Sequence, residues 1–358
     1  LPKIKNLVGM VKELGMHAVA LTDHGTMSGA IEFYKECKSA EIKPLIGMEG
    51  YTAEGKEDRS NNHLILIAKN YTGYRNLMKI SSIACLEGFY YKPRFNHETL
   101  KKYCEGLICL SACPKGEIGQ ALINKDYEEA KKTASWYAQI FGDGNYYLEI
   151  QRHQSGDFLS SAPDAKIREK LQTMQDQENK WVAGVTKLSR DLGLPLVATN
   201  DIHYLKKEDA MAQDALVCIS TAKNVSDTDR MRYVDTPTFY LRTEKEMKDL
   251  FSDVPDSVTN TMKIVEDCDV QIDLGKWYFP NIEIPDQKDA PTFLRELAYE
   301  RVGNKYPELS EETVKRLEYE LEVIITKGYA PYFLMMQEMV DWCSVNSIST
   351  NNRGSAEG

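Results

Sequence analysis

Two short segments of this 358-residue chain carry a carboxylate and an imidazole directly after an apolar run. The first is Ala18-Val-Ala-Leu-Thr-Asp-His-Gly25, and the second is Leu196-Val-Ala-Thr-Asn-Asp-Ile-His-Tyr204. Alternate side chains of an extended segment share a face, so Asp201 and His203 can converge on one point. Mixtures of carboxylate and imidazole suit Zn²⁺, Mn²⁺ or iron. The pattern predicts a metal site where two strands of a barrel end.

Other residues with metal-binding side chains add to this site. His63 opens a predicted strand that follows a polar turn, and a hairpin there would lay it beside Glu49. Cys113 ends a further apolar segment, although a lone cysteine is also typical of buried apolar filling. Glu49 is equally a candidate for a salt bridge at the barrel end, and we expect Glu149 to support the site without binding metal. The remaining histidines are expected to be structural: His17, His97 and His153.

A cluster of this kind can hold more than one metal ion. Metal ions a few ångströms apart clamp a phosphate, activate water and stabilise the leaving oxygen. The residues therefore predict metal-assisted hydrolysis of a phosphoester. They leave open whether the substrate is a sugar phosphate, a nucleotide or a DNA end.

Composition bounds the class of protein. With 42% hydrophobic and 27% charged residues, the chain is typical of a soluble globular protein. No apolar run approaches the length of a membrane span and no leader pattern is present, so we expect a cytoplasmic protein without a membrane segment. Eight cysteines without a CxxC pair indicate a reducing compartment. The net charge of −10 disfavours a protein that binds duplex DNA over its whole surface but allows a local basic groove. We also expect the chain to be part of a longer protein.

The order of the predicted elements indicates an α/β fold. Apolar strands alternate with amphipathic helices in the first part, as in a parallel barrel or sheet. The polar stretch 154–178 is interpreted as an insertion ahead of a helix over 179–192. A linker-like segment rich in proline places a domain boundary near 275–290. The main expected strands are 18–22, 42–51, 63–68, 106–113, 146–152 and 196–200, and the main expected helices are 4–14, 28–40, 73–83, 126–140, 207–220, 244–252, 255–268, 290–300 and 311–327.

Several of these segments resemble one known family. Thr22-Asp-His-Gly25, Gly47-Met-Glu-Gly-Tyr51 and Ala198-Thr-Asn-Asp-Ile-His-Tyr204 are similar to motifs of the PHP (polymerase and histidinol phosphatase) domain. The version that they resemble most is the one found in bacterial DNA polymerase III alpha subunits. Downstream, Arg316-Leu-Glu-Tyr-Glu-Leu321 and Gly328-Tyr-Ala-Pro-Tyr-Phe-Leu334 resemble the opening of the palm domain of that family.

The resemblance implies a fold and a set of ligands. The fold is a distorted (β/α)7 PHP barrel over residues 1–280, followed by the mainly helical start of a polymerase palm over 281–358. Up to three ions of Zn²⁺ or Mn²⁺ would occupy the barrel, and a further family motif with two histidines would lie before Leu1. Asp201, His203 and His24 are the expected catalytic residues. The implied metal ligands are His24, Glu49, His63, Cys113, Asp201 and His203.

The palm part carries its own implications. In the family its catalytic aspartates, which use Mg²⁺, would lie beyond Gly358. Arg353 and Ser355 are the implied phosphate contacts, although Glu357 stands where the family has a small residue and would repel a triphosphate. The implied partners are primer-template DNA, deoxynucleoside triphosphates, a proofreading exonuclease subunit, a sliding clamp and other replicase subunits.

Three functions remain open at this level. The chain is part of a replicative DNA polymerase whose PHP domain trims 3′ ends, or its barrel is a scaffold that docks a separate proofreading exonuclease. A free-standing phosphatase of the histidinol-phosphate type is the third hypothesis. Residues 205–358 argue against the third, because a compact phosphatase needs no palm-like extension.

Overall fold

The computed structural model describes residues 2–55, 57–276, 278–279, 282–285 and 288–351. The chain divides into two compact units, Leu1–Ile272 and Asp273–Gly358. The sequence predicts the boundary between the PHP domain and the palm at 280/281, and that position stays a prediction. None of the described helices is long and apolar enough to cross a bilayer.

Seven strands of the described residues form one mixed sheet in the first unit, in the order β1-β2-β3-β5-β6-β7 with β4 on β2. Four pairs are parallel: β1–β2, β2–β4, β5–β6 and β6–β7. The pairs of β3 with β2 and with β5 are antiparallel. The strands are β1 (Ala18–Leu21), β2 (Lys43–Thr52), β3 (Asn62–Ala68), β4 (Arg94–Phe95), β5 (Leu107–Leu110), β6 (Tyr146–Ile150) and β7 (Leu196–Ala198).

Helices connect and cover these strands, as a parallel crossover requires. Several begin at a side-chain cap: Asn70, Asp126 and Asp164 each accept a hydrogen bond from a backbone N–H of the first turn. The helices are α1 (Ile4–Glu13), α2 (Ala30–Ala40), α3 (Tyr71–Leu86), α4 (His97–Tyr103), α5 (Glu117–Ile123), α6 (Tyr127–Phe141), α7 (Ala165–Leu192), α8 (Ala210–Thr221), α9 (Glu244–Leu250) and α10 (Pro255–Asp267).

The α/β prediction is confirmed, and the burial of β2 shows why. Its residues from Pro44 to Thr52 are all buried. A strand of a sheet covered on both faces has this continuous burial. The predicted hairpin is also present, because Tyr51 of β2 lies opposite His63 of β3 in the antiparallel ladder.

The predicted start of the helix over 179–192 was wrong, and the interpretation of 154–178 as an insertion stays a prediction. A short 3-10 segment, Ser155–Ser161, leads into α7, which begins at Ala165 and not near 179. The stretch is polar because this long helix is half exposed, while Ile167 and Leu171 on its inner face are buried. The short elements α4, α5 and β4 were not anticipated, since they are too brief to show a periodicity.

Several predicted strands are shorter than expected, including the two that precede Cys113 and Asp201. β5 ends at Leu110 and β7 at Ala198, so Cys113 and Asp201 lie in the loops beyond their strands. Loop geometry, and not strand alternation, therefore sets the direction of their side chains.

The second unit contains three helices among its described residues. They are α11 (Ala290–Val302), α12 (Glu311–Thr326) and α13 (Ala330–Val345). Their shared core consists of four buried side chains: Leu294, Leu321, Ala330 and Leu334. Arg353 and Ser355 lie outside the described residues.

Two helical glycines test this packing. A Cβ on Gly73 of α3 would lie 1.8 Å from the carbonyl oxygen of Gly106, whereas one on Gly9 of α1 would meet nothing within 4 Å. We expect Gly73→Ala to lower the free energy of unfolding by about 1–3 kcal/mol or more through overpacking. Gly9→Ala should raise it by up to about 1 kcal/mol. Urea unfolding followed by circular dichroism measures both, and equal effects would contradict the packing described.

Candidate metal centre

Backbone pairing places His24 beside Glu49. β1 pairs with β2 in parallel, and the pairing resumes past the end of β1 as a bridge between these two residues. The amide of Gly25 donates to the carbonyl of Glu49, and the amide of Glu49 donates to the carbonyl of Asp23. Gly25 has φ +65°, and a Cβ there would strike Pro93, so this position requires glycine. The turn holds His24 Nε2 3.8 Å from Glu49 Oε1.

His63 and Cys113 complete one side of the site. His63 Nδ1 lies 3.0 Å from Glu49 Oε1 and 3.6 Å from Cys113 Sγ. The amide of His63 donates to the carbonyl of Lys115, which ties β3 to the loop after β5. Four of the six predicted ligands are therefore neighbours in one row: His24, Glu49, His63 and Cys113.

Asp201 and His203 are held by a clamp that sequence reasoning did not foresee. The amide of His203 donates to the carbonyl of Phe239, and the side-chain amide of Asn200 donates to the carbonyls of Thr238 and Tyr240. These bonds hold the loop after β7 against residues 238–240, although β7 itself ends at Ala198. Within the loop, His203 Nε2 lies 3.2 Å from Asp201 Oδ2.

The two sides meet at His24. Its ring centroid is 5.9 Å from that of His203 and 6.5 Å from that of His63. β1 and β7 stand at opposite ends of the strand order, so the sheet must curl to bring these rings together. The structure thus gathers all six predicted ligands in one region, at the ends of β1, β2 and β7 and beside β3.

The donor chemistry suits a metal ion. Glu49 Oε1 is buried and makes no hydrogen bond of acceptable geometry to a described residue, although His63 Nδ1 is close to it. Ligand atoms of a tetrahedral site with bonds of about 2.1 Å lie about 3.4 Å apart, close to the separations in this row. These are pairwise contacts, however. Within the described part of the chain, no group of three or more His, Cys, Asp or Glu side chains is arranged to hold an ion as it stands.

The pKa values of Asp201 and Cys113, which lie in the loops after β7 and β5, are shifted in opposite directions. Burial acts to raise the pKa of Asp201, but the hydrogen bond and charge of His203 outweigh it and lower that pKa. Burial raises the pKa of the Cys113 thiol to about 12, with Glu49 acting in the same direction. The protein without metal therefore keeps Asp201 ionised and Cys113 protonated.

Glu149 is the most deeply buried carboxylate of the region. It is buried on β6, and its Oε2 has no hydrogen-bond partner among the described residues. Thr199 and Gln151 donate to its Oε1. Burial raises the pKa of Glu149 to about 7, and the negative charges of Glu49 and Asp201 add to that rise. The sequence analysis expects Glu149 to support the site. Its hydrogen bond from Thr199, two residues before Asp201, is compatible with that role.

Two tyrosines border the site and were missed. The Tyr51 ring lies 5.3 Å from that of His63, and the Tyr233 ring lies 5.0 Å from that of His203. Burial raises the pKa of both hydroxyls, with nearby carboxylates adding to it, so they stay neutral hydrogen-bond donors. A signal for Tyr51 existed, because it lies two residues after Glu49 on one strand and shares its face.

His153 also lies nearer the site than expected. Its ring stacks on Phe239 at 4.1 Å, its Nδ1 is 3.0 Å from the Thr238 hydroxyl, and burial lowers its pKa to about 4. It borders a groove of about 430 Å³ that also contains Lys207 and the buried guanidinium of Arg242. His97 lies in a separate cluster, 3.1 Å from both Glu54 and Glu117.

Comparison with known families agrees with this architecture. Residues 1–153 match the PHP domain family. Residues 292–358 match the family described as the bacterial DNA polymerase III alpha NTPase domain. The two matches occur in the order that the sequence motifs predicted.

Curated relatives match along the whole chain. A DNA polymerase III subunit alpha from Borreliella burgdorferi is 40% identical over 367 residues, which cover 99% of this chain and 30% of the relative. Subunits of the same name from Treponema pallidum and Helicobacter pylori are 39% and 37% identical, covering 98% and 99% of this chain and 29% and 30% of theirs. Over its whole length, the chain is similar to DNA polymerase III alpha subunits.

The predicted family is therefore confirmed, together with an α/β PHP domain and a helical segment after it. The chain spans about 30% of the length of these alpha subunits. Among solved structures, a candidate metal-dependent phosphoesterase from Bifidobacterium adolescentis is 12% identical and covers 56% of this chain and 82% of its own. Its TM-score of 0.30 is too low to carry an argument.

The raised pKa of Glu149 predicts a pH effect in the metal-free protein. Between the usual carboxyl value and about 7, the folded state holds a proton that the unfolded state has lost. Stability must therefore fall as the pH rises through this window. Glu149→Gln should remove up to about 3 kcal/mol of that fall.

Urea unfolding between about pH 5 and pH 8 measures this effect. Glu128→Gln, an exposed position on α6, is the control and should keep the wild-type slope. A Glu149→Gln protein as pH-dependent as the wild type would show that Glu149 ionises normally.

Proposed function

We propose that this chain is the PHP-bearing N-terminal region of a replicative DNA polymerase alpha subunit, and that its site hydrolyses phosphodiesters at the 3′ end of single-stranded DNA. The observation that supports hydrolysis is the meeting of His24 and His203 from opposite edges of the curled sheet. A purely structural barrel has no need to gather six metal-binding side chains at one end. The family relationship supports the choice of DNA over a sugar phosphate.

His24, Glu49, His63 and Cys113 on one side, and Asp201 with His203 on the other, would hold up to three ions of Zn²⁺ or Mn²⁺. Once bound, such ions polarise a phosphoryl group and lower the pKa of water. Asp201, His203 and His24 are the proposed catalytic residues, because the two sides of the site meet at them.

The surrounding side chains orient the site and the substrate. Glu149 accepts a hydrogen bond from the Thr199 hydroxyl and so fixes the start of the loop that carries Asp201. The neutral hydroxyls of Tyr51 and Tyr233 are donors for the oxygens of a bound phosphate. Lys92, with its Nζ 3.4 Å from Tyr51 Oη, supplies a positive charge at the rim.

The role in replication extends beyond this chain. We propose that the whole protein binds primer-template DNA, deoxynucleoside triphosphates and Mg²⁺ in the cytoplasm, with Arg353 and Ser355 contacting phosphate. Its proposed protein partners are a proofreading exonuclease subunit, a sliding clamp and other replicase subunits. These assignments follow from the alpha-subunit family and not from the fold.

One observation favours the scaffold as a second candidate. His63 pairs with Glu49 and His203 pairs with Asp201, so the barrel end is held together by its own side chains. A barrel end that these pairs stabilise does not need to catalyse a reaction, and it can serve to dock an exonuclease subunit.

Metal binding is tested by stability. Mn²⁺ or Zn²⁺ at about 100 times its Kd should stabilise the folded chain by about 2.7 kcal/mol, because it binds the folded state alone. Asp201→Asn and Glu49→Gln should lose most of this increment. His97→Gln, in the separate cluster, should keep it. Thermal unfolding with and without metal measures the increment, and its retention in both site variants would place the metal elsewhere.

Hydrolysis is tested with a 5′-labelled single strand. Residues 1–358, alone and preceded by the upstream family motif, should shorten the strand from its 3′ end when Mn²⁺ or Zn²⁺ is present. Asp201→Asn should slow this step at least about 100-fold, since a ligand that also faces the substrate is lost. Products are resolved on a sequencing gel.

The scaffold gives a different result in the same experiment. Metal would stabilise the chain while no strand is shortened, and Asp201→Asn would change only the stability. A 3′-recessed duplex, whose 3′ end is paired, serves as the control substrate, because an activity on paired ends alone would contradict a single-strand nuclease.

A further inference from the structure

An exposed aromatic loop lies at the rim of the candidate metal centre. The loop joins α3 to β4 and contains Phe89, Tyr90 and Tyr91, whose exposed fractions are 63%, 39% and 84%. Three consecutive exposed aromatic residues are unusual on a soluble protein, where such patches mark binding surfaces. We call residues 88–92 the aromatic loop.

The position of the loop is set by the strand that carries the site. β4 pairs in parallel with β2, which puts Arg94 next to Tyr51. Lys92 Nζ lies 5.0 Å from the centroid of the Tyr51 ring, and that ring in turn contacts His63. Pro93 packs on Gly25, the residue after His24. Through Lys92, the aromatic loop therefore reaches the tyrosine ring that lies against His63.

The loop is built to be rigid. The amide of Tyr90 donates to the carbonyl of Lys92, and the buried Arg94 lies beneath the Tyr90 ring at 4.9 Å. Arg94 also donates to the carbonyls of Gly88, Asp58 and Ser60. A rigid surface loses less entropy when it binds a ligand.

The backbone of the exposed Tyr91 is strained. Its φ of 56° is the left-handed conformation, which costs a residue other than glycine free energy. This conformation projects an 84% exposed ring whose centroid is 4.8 Å from the Tyr90 ring, edge to face. The left-handed backbone therefore presents the ring at the surface, where a ligand can reach it.

We propose that the aromatic loop is a stacking platform for the unpaired bases of a nucleic-acid strand whose end enters the metal centre. Aromatic rings beside a cationic side chain are the standard means of binding single strands, because every base has a stacking face. Lys92, which forms no ion pair with a described residue, meets the phosphate backbone. The proposal deepens the proposed function and rests on it only for the identity of the strand end.

Binding without turnover tests the proposal. Fluorescence polarisation at low salt in metal-free buffer compares two labelled probes, a short oligothymidylate and a strand of the same number of phosphates without bases. Tyr91→Ala and Phe89→Ala should each weaken oligothymidylate binding at least about fivefold. Neither should change binding of the abasic strand, because its phosphates remain.

Matched variants separate stacking from damage to the fold. Tyr91→Phe keeps the ring and should bind oligothymidylate as tightly as the wild type. Tyr71→Ala removes a tyrosine that is 51% exposed at the other end of α3 and should have no effect; the two ends of that helix are about 22 Å apart. Lys92→Gln should weaken both probes and reduce the slope of log Kd against log salt by about 0.7.

Two results would overturn the platform: a wild-type chain that does not bind oligothymidylate, or Tyr91→Ala and Phe89→Ala proteins that bind it as tightly as wild type. The second result would assign the aromatic loop to a protein contact. Absence of hydrolysis alongside intact aromatic dependence would overturn the proposed nuclease and leave the platform standing.

Discussion

Three carboxylates lie close together at one end of the sheet, and their mutual repulsion is the constraint on which the candidate site depends. Glu49, Glu149 and Asp201 come from two strands and a loop, and the charges of the first and last oppose ionisation of Glu149. Burial makes that repulsion expensive, because a low-dielectric interior screens it poorly. Imidazoles offset part of it: His63 lies against Glu49 and His203 against Asp201. Divalent cations would offset the rest, which is the physical reason for placing metal here.

Holding such a site together requires backbone restraint from outside it. The loop after β7 is pinned by hydrogen bonds to the segment 238–240, and Phe239 from that segment packs between the rings of His153 and His203. On the other side, the tight turn at Gly25 fixes His24. Residues after 204 therefore support the candidate metal centre, although the PHP family match covers only residues 1–153.

The rim of the site carries chemistry of a different kind. Its interior is acidic and the chain as a whole has a net charge of −10, which disfavours nucleic acid at long range. Stacking on exposed rings is insensitive to that charge and acts only on contact. An aromatic loop that carries the Lys92 ammonium beside the centre would therefore select unpaired strands without a basic face. Lys207 and the buried Arg242 offer further positive charge in the neighbouring groove.

The sequence by itself determined the α/β class, most helices, the β2–β3 hairpin and the six candidate ligands. These features depend on local signals: apolar periodicity, turn residues and carboxylate–imidazole pairs near strand ends. The family motifs extended this to the alpha-subunit assignment. The start of α7 was predicted too late, because the sequence of an exposed helical segment resembles that of a polar loop when its packing partner is unknown.

Only the tertiary structure decided which side chains meet. His24 and His203 are separated by most of the first unit along the chain and come within 5.9 Å because the sheet curls. The positions of Tyr233 and the aromatic loop depend on strand register and on a clamp formed by a loop, neither of which leaves a periodic trace in the sequence. Long-range packing sets these distances, and it acts between residues that local patterns cannot relate.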